Sequence, residues 1–152
     1  MDRRIKITGA APQIGIFTLL YLVTSFILSS VSKSGFPITS NHTLLIFWGI
    51  IWIMPGIVMV MICGRKLVKS FNENTLMCDG LYRIFRNPMY GAYVLFIIPG
   101  VCLLFNSWLV LTTVPVNYIL LQIFIQKEYN YLRQKFGEEY EQYLKTVLIK
   151  FL

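Results

Sequence analysis

The sequence predicts an all-α fold, a polytopic membrane bundle of about four transmembrane helices followed by a cytoplasmic amphipathic helix. Hydrophobic residues make up 56% of the 152 residues and charged residues 14%, whereas a soluble domain has roughly 25% charged residues. The apolar residues also gather in stretches that contain no Asp, Glu, Lys or Arg. These observations exclude an ordinary soluble protein, and the length fits one domain over residues 1–152.

Four apolar stretches account for the predicted transmembrane helices. They are residues 10–31, 44–63, 90–104 and 108–126. At about 1.5 Å per residue, the first, second and fourth are long enough to cross a hydrocarbon core of about 30 Å. The third is shorter, and only residues 105–107 separate it from the fourth, so these two are predicted to form a tight helical hairpin. Pro55 predicts a kink in the second helix.

The positive charges predict the orientation of the bundle. Thirteen of the fourteen Lys and Arg residues occur before the first stretch, between the second and third, or after the fourth, and Lys33 is the exception. Because cationic loops face the cytoplasm, both termini and the long second loop are predicted to be cytoplasmic. All seven acidic residues fall on the same side. The net charge of +7 therefore fits membrane orientation and gives no support to nucleic-acid binding.

The cysteine and histidine content argues against several chemistries. Cys63, Cys78 and Cys102 are odd in number and lie within the predicted membrane or on its cytoplasmic side, which argues against a disulfide framework. Their spacing fits no zinc site, and His42 lies at the opposite face, so no metal is expected. A single histidine also removes Ser-His-Asp and Cys-His mechanisms from consideration.

The first polar segment that carries candidate chemistry leads into the third apolar stretch. Gly80 permits a turn, and Pro88 suits the first turn of a helix. Side chains at the membrane boundary, near a helix N-terminus that favours anions, are then Arg86, Asn87 and Tyr90. On physical grounds alone, Arg83 and Arg86 also fit positive-inside anchors, and Tyr82 and Tyr90 fit an aromatic belt.

The second polar segment follows the fourth stretch. It continues that helix as far as Gly137, which can terminate it. A second helix is predicted over residues 138–150, because apolar side chains recur there at helical spacing on one face. They are Tyr140, Tyr143, Leu144, Val147 and Leu148. This pattern predicts an amphipathic helix that lies on the membrane surface.

From Gly80 to Gly91 the chain has the pattern G-L-Y-(x)3-R-N-P-M-Y-G, and from Glu128 to Val147 it has E-(x)3-L-(x)3-F-G-E-E-Y-(x)2-Y-(x)3-V. With these two motifs the chain resembles the isoprenylcysteine carboxyl methyltransferase and phospholipid methyltransferase superfamily. The two motifs occur in the superfamily's order across a helical hairpin. The resemblance covers residues 75–148, about half of the chain.

The chain departs from the superfamily pattern at three positions. Asn87 stands where the superfamily has His, Tyr129 stands where a second Glu is expected, and Gly91 falls one residue before the usual Gly. Asn can replace one hydrogen bond of a neutral imidazole but cannot carry a proton at physiological pH. Glu128 is left as the one acid at the start of the second motif.

The resemblance implies methyl transfer from S-adenosylmethionine to a lipid-like acceptor, such as an isoprenylcysteine carboxylate, at the cytoplasmic face. S-adenosylhomocysteine would be the product. The resemblance makes Arg86 and Glu128 the catalytic residues, which act by positioning the cofactor through its carboxylate and ammonium groups. The further cofactor-binding residues that it implies are Gly80, Leu81, Tyr82, Asn87, Pro88, Tyr90 and Tyr129.

Several alternatives stay open at this point. A carboxylate acceptor needs no general base, whereas an amine would have to lose a proton to Glu128 or to a tyrosine hydroxyl. A catalytically degenerate scaffold or cofactor-binding protein of the same fold is the main alternative. The uncharged helices argue against a transporter, and no G-x-G-x-x-G fingerprint supports a nicotinamide-dependent reductase. Candidates for shaping an acceptor pocket, which also fit plain helix packing, are Thr18, Thr24, Ser25, Trp48, Trp52 and Asn117.

Overall fold

The structure, a computed structural model, describes residues 10–32, 36–73 and 75–150. Its helical elements are α1 (Ala11–Val31), α2 (His42–Glu73), α3 (Leu81–Ile84), α4 (Pro88–Ala92), a π-helical turn (Tyr93–Ile97), α5 (Ile98–Leu104), α6 (Trp108–Leu111), α7 (Thr113–Phe124) and α8 (Gln126–Thr146). The all-α prediction is confirmed. Four of the charges used to predict orientation, those of Arg3, Arg4, Lys6 and Lys33, lie outside the described residues.

Within residues 10–32, 36–73 and 75–150, three helices are long and apolar enough to cross a membrane. They are α1, residues His42–Ser70 of α2, and the helical stretch that begins at Trp108. The third predicted stretch, residues 90–104, lies in a shorter apolar helical segment, Pro88–Leu104, as the sequence indicates. Large apolar side chains cover the outer surface, and Leu19 and Phe47 are 61% and 58% exposed. An apolar surface of this extent suits hydrocarbon and makes the chain a membrane protein.

The helices pack in two main pairs. The segment Pro88–Leu104 packs along α2, and α1 packs against α6 and α7. Close approach in the first pair depends on Gly100, because a Cβ there would lie 2.9 Å from the carbonyl oxygen of Gly49. In the second pair, the Asn117 amide donates a hydrogen bond of 2.7 Å to the Thr18 hydroxyl. Small residues and buried hydrogen bonds of this kind hold helices together in membranes.

The turn at residues 105–107 closes the predicted hairpin. Asn106 has a φ of 46°, and its side-chain oxygen accepts hydrogen bonds from the backbone N–H groups of Ile38 and Thr39. The turn therefore also anchors the connection between α1 and α2. The hairpin prediction is confirmed, and this turn marks one end of the bundle.

The other end of the bundle, called the cavity end below, is where α1, α4 and α8 begin and where α2 ends. Here α2 continues through Pro55 and runs ten residues beyond the predicted limit at residue 63. The backbone of α8 leaves helical geometry at Gly137, with φ 50° and ψ −120°. The break predicted at Gly137 is confirmed.

The segment after Gly137 differs from the prediction in two respects. The helix ends at Thr146, and Val147 is extended. The predicted apolar face is also turned into the protein, since Tyr140, Tyr143 and Val147 are only 1%, 5% and 3% exposed. These side chains pack against apolar neighbours from other segments, so assigning them to the membrane surface is wrong.

Residues 147–150 form an extended segment at the cavity end. The Ile149 N–H donates a hydrogen bond of 2.8 Å to the Ile84 carbonyl, and the Arg86 N–H donates one of 2.9 Å to the Ile149 carbonyl. This parallel bridge explains why the helix stops early, because backbone groups that a helix would use internally pair with residues 84–86 instead. The backbone on either side of Phe85 is thus held by Ile149, through the Ile84 carbonyl and the Arg86 N–H.

Candidate functional site

A cavity of about 420 Å³ lies at the cavity end of the bundle. Its wall is formed by the start of α1, the end of α2, residues 75–93 and α8. Most of the lining is apolar and includes Leu76, Met77, Leu132 and Phe136. A volume of this size falls within the roughly 300–1,000 Å³ range of small-molecule sites.

Six of the predicted site residues line this first cavity. They are Tyr82, Arg86, Asn87, Pro88, Tyr90 and Glu128. The first motif and the start of α8 therefore meet in space, although a full helical hairpin separates them in sequence. This juxtaposition is the main feature that the two motifs predict.

The three other predicted residues lie outside the wall of the first cavity. Gly80, with a φ of 61°, forms the turn before α3, and Leu81 begins that helix. Tyr129 lies behind Arg86 and lines a second cavity of about 350 Å³. For Gly80 and Leu81, contact with a cofactor stays a prediction.

Arg86 is held by two aromatic side chains. Its Nε and Nη2 atoms donate hydrogen bonds of 3.1 and 2.7 Å to the Tyr140 hydroxyl. Its guanidinium carbon lies 3.2 Å from the centre of the Tyr129 ring. Within the described ranges, Arg86 forms no ion pair with a carboxylate. The cation is therefore oriented by neutral groups and keeps its charge available to an anionic ligand.

Glu128 is the one acidic side chain in the wall of the first cavity as described. It is half-buried, and one of its oxygens accepts a hydrogen bond of 3.0 Å from the Tyr90 hydroxyl. Charge-assisted bonds of this kind are stronger than neutral ones and fix the carboxylate in place. The cavity thus offers an oriented anion as well as the oriented cation of Arg86.

Two of the departures from the superfamily pattern contact each other. The Asn87 amide nitrogen donates a hydrogen bond of 2.5 Å to the Tyr129 hydroxyl. Both residues are buried, with Asn87 9% and Tyr129 8% exposed. In place of the expected His and Glu, the chain has a neutral amide bonded to a neutral phenol.

Two further tyrosines belong to the site, although sequence reasoning assigned them only to an apolar helix face. Tyr140 holds Arg86, and the Tyr143 hydroxyl donates a hydrogen bond of 2.7 Å to the Tyr82 carbonyl. Both line the first cavity. Their positions within the second motif are the signal that could have identified them.

Two ionisable groups near the first motif have shifted pKa values. Burial raises the pKa of the Tyr82 hydroxyl far above its ordinary value, so this phenol stays protonated at neutral pH. A hydrogen bond of 2.5 Å from Lys66 lowers the pKa of Asp79, which lies outside both cavities. This ion pair connects the end of α2 to the turn at Gly80. In the part of the chain that the structure describes, no three His, Cys, Asp or Glu side chains gather as a metal site requires.

Fold and site together define a helical membrane protein with an apolar cavity at one end of its bundle, in which an arginine and a glutamate are held by tyrosines. The chain belongs to the phospholipid methyltransferase family, whose sequence model matches residues 41–139. The match begins with α2 and so reaches further towards the N-terminus than the two motifs do.

Two rice proteins are similar to this chain, one from Oryza sativa subsp. indica and one from subsp. japonica. Each is named a probable protein-S-isoprenylcysteine O-methyltransferase and is 27% identical to this chain. The similarity covers 74% of this chain and 63% of each relative. The chain therefore matches less than two thirds of the length of these relatives. No solved structure matches the chain significantly.

Proposed function

We propose that this protein transfers a methyl group from S-adenosylmethionine to a lipid-like acceptor, at a cavity that faces the cytoplasm together with both termini. The observation that carries the proposal is the presence of Arg86 and Glu128 in one largely apolar cavity at the end of the membrane helices. Family membership and the names of the two rice relatives support the same reaction class.

The side chains in the first cavity fit the groups of S-adenosylmethionine. Arg86 has no carboxylate partner within the described ranges and suits the cofactor's carboxylate, while Glu128 suits its ammonium group. Tyr82 and Tyr90 offer aromatic walls, Asn87 and Pro88 also line the cavity, and Tyr129 supports Arg86 from behind. When bound, S-adenosylmethionine supplies a methyl carbon already activated by its sulfonium.

The contribution of the protein to such a reaction is alignment and exclusion of water. Arg86 and Glu128 bind opposite charges and so fix the direction in which a ligand lies. The apolar lining around Leu76, Leu132 and Phe136 keeps water away and suits the hydrocarbon part of an acceptor. A membrane lipid or a lipidated substrate fits this wall.

The cavity favours a carboxylate acceptor over an amine. A carboxylate attacks the methyl carbon directly, with no proton to remove, whereas an amine must lose a proton. Within the described wall, Glu128 is the one carboxylate, and the proposed cofactor contact occupies it. Tyr82 is no substitute, because burial raises the pKa of its hydroxyl. We therefore infer O-methylation of an isoprenylcysteine-like carboxylate, with phospholipid N-methylation as the alternative acceptor chemistry.

A second candidate function is cofactor binding without turnover, which Asn87 and Tyr129 favour because neither carries a charge at neutral pH. Purified protein in detergent, incubated with methyl-labelled S-adenosylmethionine and either an isoprenylcysteine analogue or phosphatidylethanolamine, distinguishes the two functions. Labelled ester supports the enzyme, and cofactor binding with no labelled product from either acceptor supports the degenerate protein.

A matched pair of variants tests the site itself. Arg86→Ala should weaken binding of S-adenosylhomocysteine in calorimetry by about 1.5–3 kcal/mol, as expected for a lost charge-assisted hydrogen bond. Arg83→Ala removes an equal charge from an exposed side chain outside both cavities and should leave binding unchanged. If the native chain binds neither S-adenosylmethionine nor S-adenosylhomocysteine at millimolar concentration, the proposed function is rejected.

A further inference from the structure

Arg86 lies in the wall between the two cavities, and the orientation of its guanidinium decides in which cavity an anionic ligand can contact it. It lines both of them. The second cavity also contains Arg133 and Lys150, and its described lining includes no acidic residue. Turning the guanidinium further towards that side would bring it closer to these cations, of which Arg133 is paired with Glu141, and like charges repel. The Tyr140 hydroxyl, in the wall of the first cavity, accepts hydrogen bonds from both Nε and Nη2 of Arg86.

The Tyr129 ring forms the surface on which the guanidinium rests. The guanidinium carbon is 3.2 Å from the ring centre, within the range of a cation–π contact. The ring is fixed at its far end, because its hydroxyl accepts the hydrogen bond from Asn87. Asn87 is fixed in turn, since its backbone carbonyl accepts a hydrogen bond from the backbone N–H of Gly91 in α4.

We propose that Asn87 and Tyr129 act as one positioning unit for Arg86. The buried amide–phenol bond holds the ring, and the ring holds the guanidinium towards the first cavity. A second glutamate at position 129 would compete with the ligand for Arg86, whereas a tyrosine orients the cation and leaves its charge unpaired. The two departures from the superfamily pattern are then a matched pair. This inference rests on the proposed function, because the ligand carboxylate in question is that of the adenosyl cofactor.

Two probes separate positioning of Arg86 from general support of the cavity. S-adenosylhomocysteine carries the carboxylate, and 5′-methylthioadenosine lacks the whole amino-acid part. Tyr129→Leu removes the ring and should weaken binding of S-adenosylhomocysteine about tenfold while changing binding of methylthioadenosine less than about twofold. A merely structural role would move both affinities together.

The amide–phenol bond is tested by a double-mutant cycle. Asn87→Leu and Tyr129→Phe each remove one partner and keep similar volume, and each should weaken S-adenosylhomocysteine binding about threefold. The double variant should lose little more than either single variant, because both remove the same interaction. Asn87→His retains a hydrogen-bond donor. Its affinity for S-adenosylhomocysteine should therefore stay within about twofold of that of the native chain, at a pH well above the ordinary imidazole pKa of about 6.5.

Three results would overturn the positioning unit. The first is an unchanged affinity of Tyr129→Leu for S-adenosylhomocysteine, and the second is an equal loss of affinity for both probes in that variant. The third is a double variant of Asn87 and Tyr129 whose loss of affinity equals the sum of the two single losses. Failure of the native chain to bind either probe is a different result, which rejects the proposed function and the ligand assigned to Arg86 with it.

Discussion

The hydroxyl of Tyr90 donates a hydrogen bond of 3.0 Å to the carboxylate of Glu128, and this contact joins the first turn of α4 to the first turn of α8. Both residues line the first cavity. Because the donor is a neutral phenol, it orients the carboxylate without neutralising it. The pair therefore marks the place where a cationic group can bind.

Glu128→Gln should weaken binding of S-adenosylhomocysteine by about 1.5–3 kcal/mol, because the amide cannot pair with the ligand's ammonium group. The Gln carbonyl can still accept the hydrogen bond from Tyr90, so folding should be retained. Glu138→Gln makes the same change in net charge at an exposed position outside both cavities, and serves as the control. Calorimetry that finds equal effects in the two variants would place the ammonium site elsewhere.

Cys78 reports on the proposed orientation. Its side chain is exposed at the cavity end, whereas Cys63 and Cys102 are buried. A membrane-impermeant maleimide should therefore label inverted vesicles and spare right-side-out ones, and Cys78→Ser should abolish the labelling. The opposite pattern would mean that the cavity faces away from the cytoplasm.

The rate of that labelling should also depend on pH. Partial burial, followed by the charges of Glu139 and Asp79, raises the pKa of the Cys78 thiol. Since the thiolate is the reactive form, the rate should reach half its maximum above about pH 8.5, where an ordinary thiol is half ionised. A midpoint at or below that pH would contradict the shift.

Gly100→Ala tests the contact between α5 and α2. The added Cβ would lie 2.9 Å from the Gly49 carbonyl oxygen and 2.5 Å from Cγ1 of Ile53, so the helices must separate. We expect a loss of about 1–3 kcal/mol in the free energy of unfolding. Gly64→Ala on α2 meets nothing within 4 Å and should stabilise the helix by up to about 1 kcal/mol. Thermal unfolding in detergent would show opposite shifts, and equal shifts would refute the close packing.

Ile149→Pro tests whether the extended segment supports the site. Proline removes the N–H that donates to the Ile84 carbonyl, which should cost about 0.5–1.5 kcal/mol of stability and loosen the backbone around Arg86. Ile149→Ala also removes most of the Ile149 side chain but keeps this N–H, and serves as the control. Weaker S-adenosylhomocysteine binding in Ile149→Pro alone is expected. Identical binding in both variants would separate this segment from the site.

The sequence predicts the helices and the meeting of the two motifs well, because both follow from local pattern. Long uncharged stretches can only cross the membrane as helices. The hairpin at Asn106 and the break at Gly137 follow from short polar and glycine signals. Since the hairpin returns the chain to the end where it started, Arg86 and Glu128 meet in one cavity.

What the sequence could not predict depends on contacts between distant residues. The apolar face of Tyr140, Tyr143 and Val147 has the same periodicity whether lipid or protein covers it. The pattern therefore could not show that this face packs inside the protein. The bridge between Phe85 and Ile149 could not be predicted either, because such a short extended pairing has no periodicity to detect. The contact between Asn87 and Tyr129 required their side-chain positions.

The pairing of Ile149 with Ile84 and Arg86 also sets an order of events during synthesis of the protein. Residues 147–150 leave the ribosome after the described helices, and α8 supplies one wall of the first cavity only once it has been made. Until then, Arg86 lacks both Tyr129 and Tyr140. In a nascent chain that has not reached residue 140, the guanidinium of Arg86 is therefore not yet oriented, and the first cavity is complete only after α8 has folded.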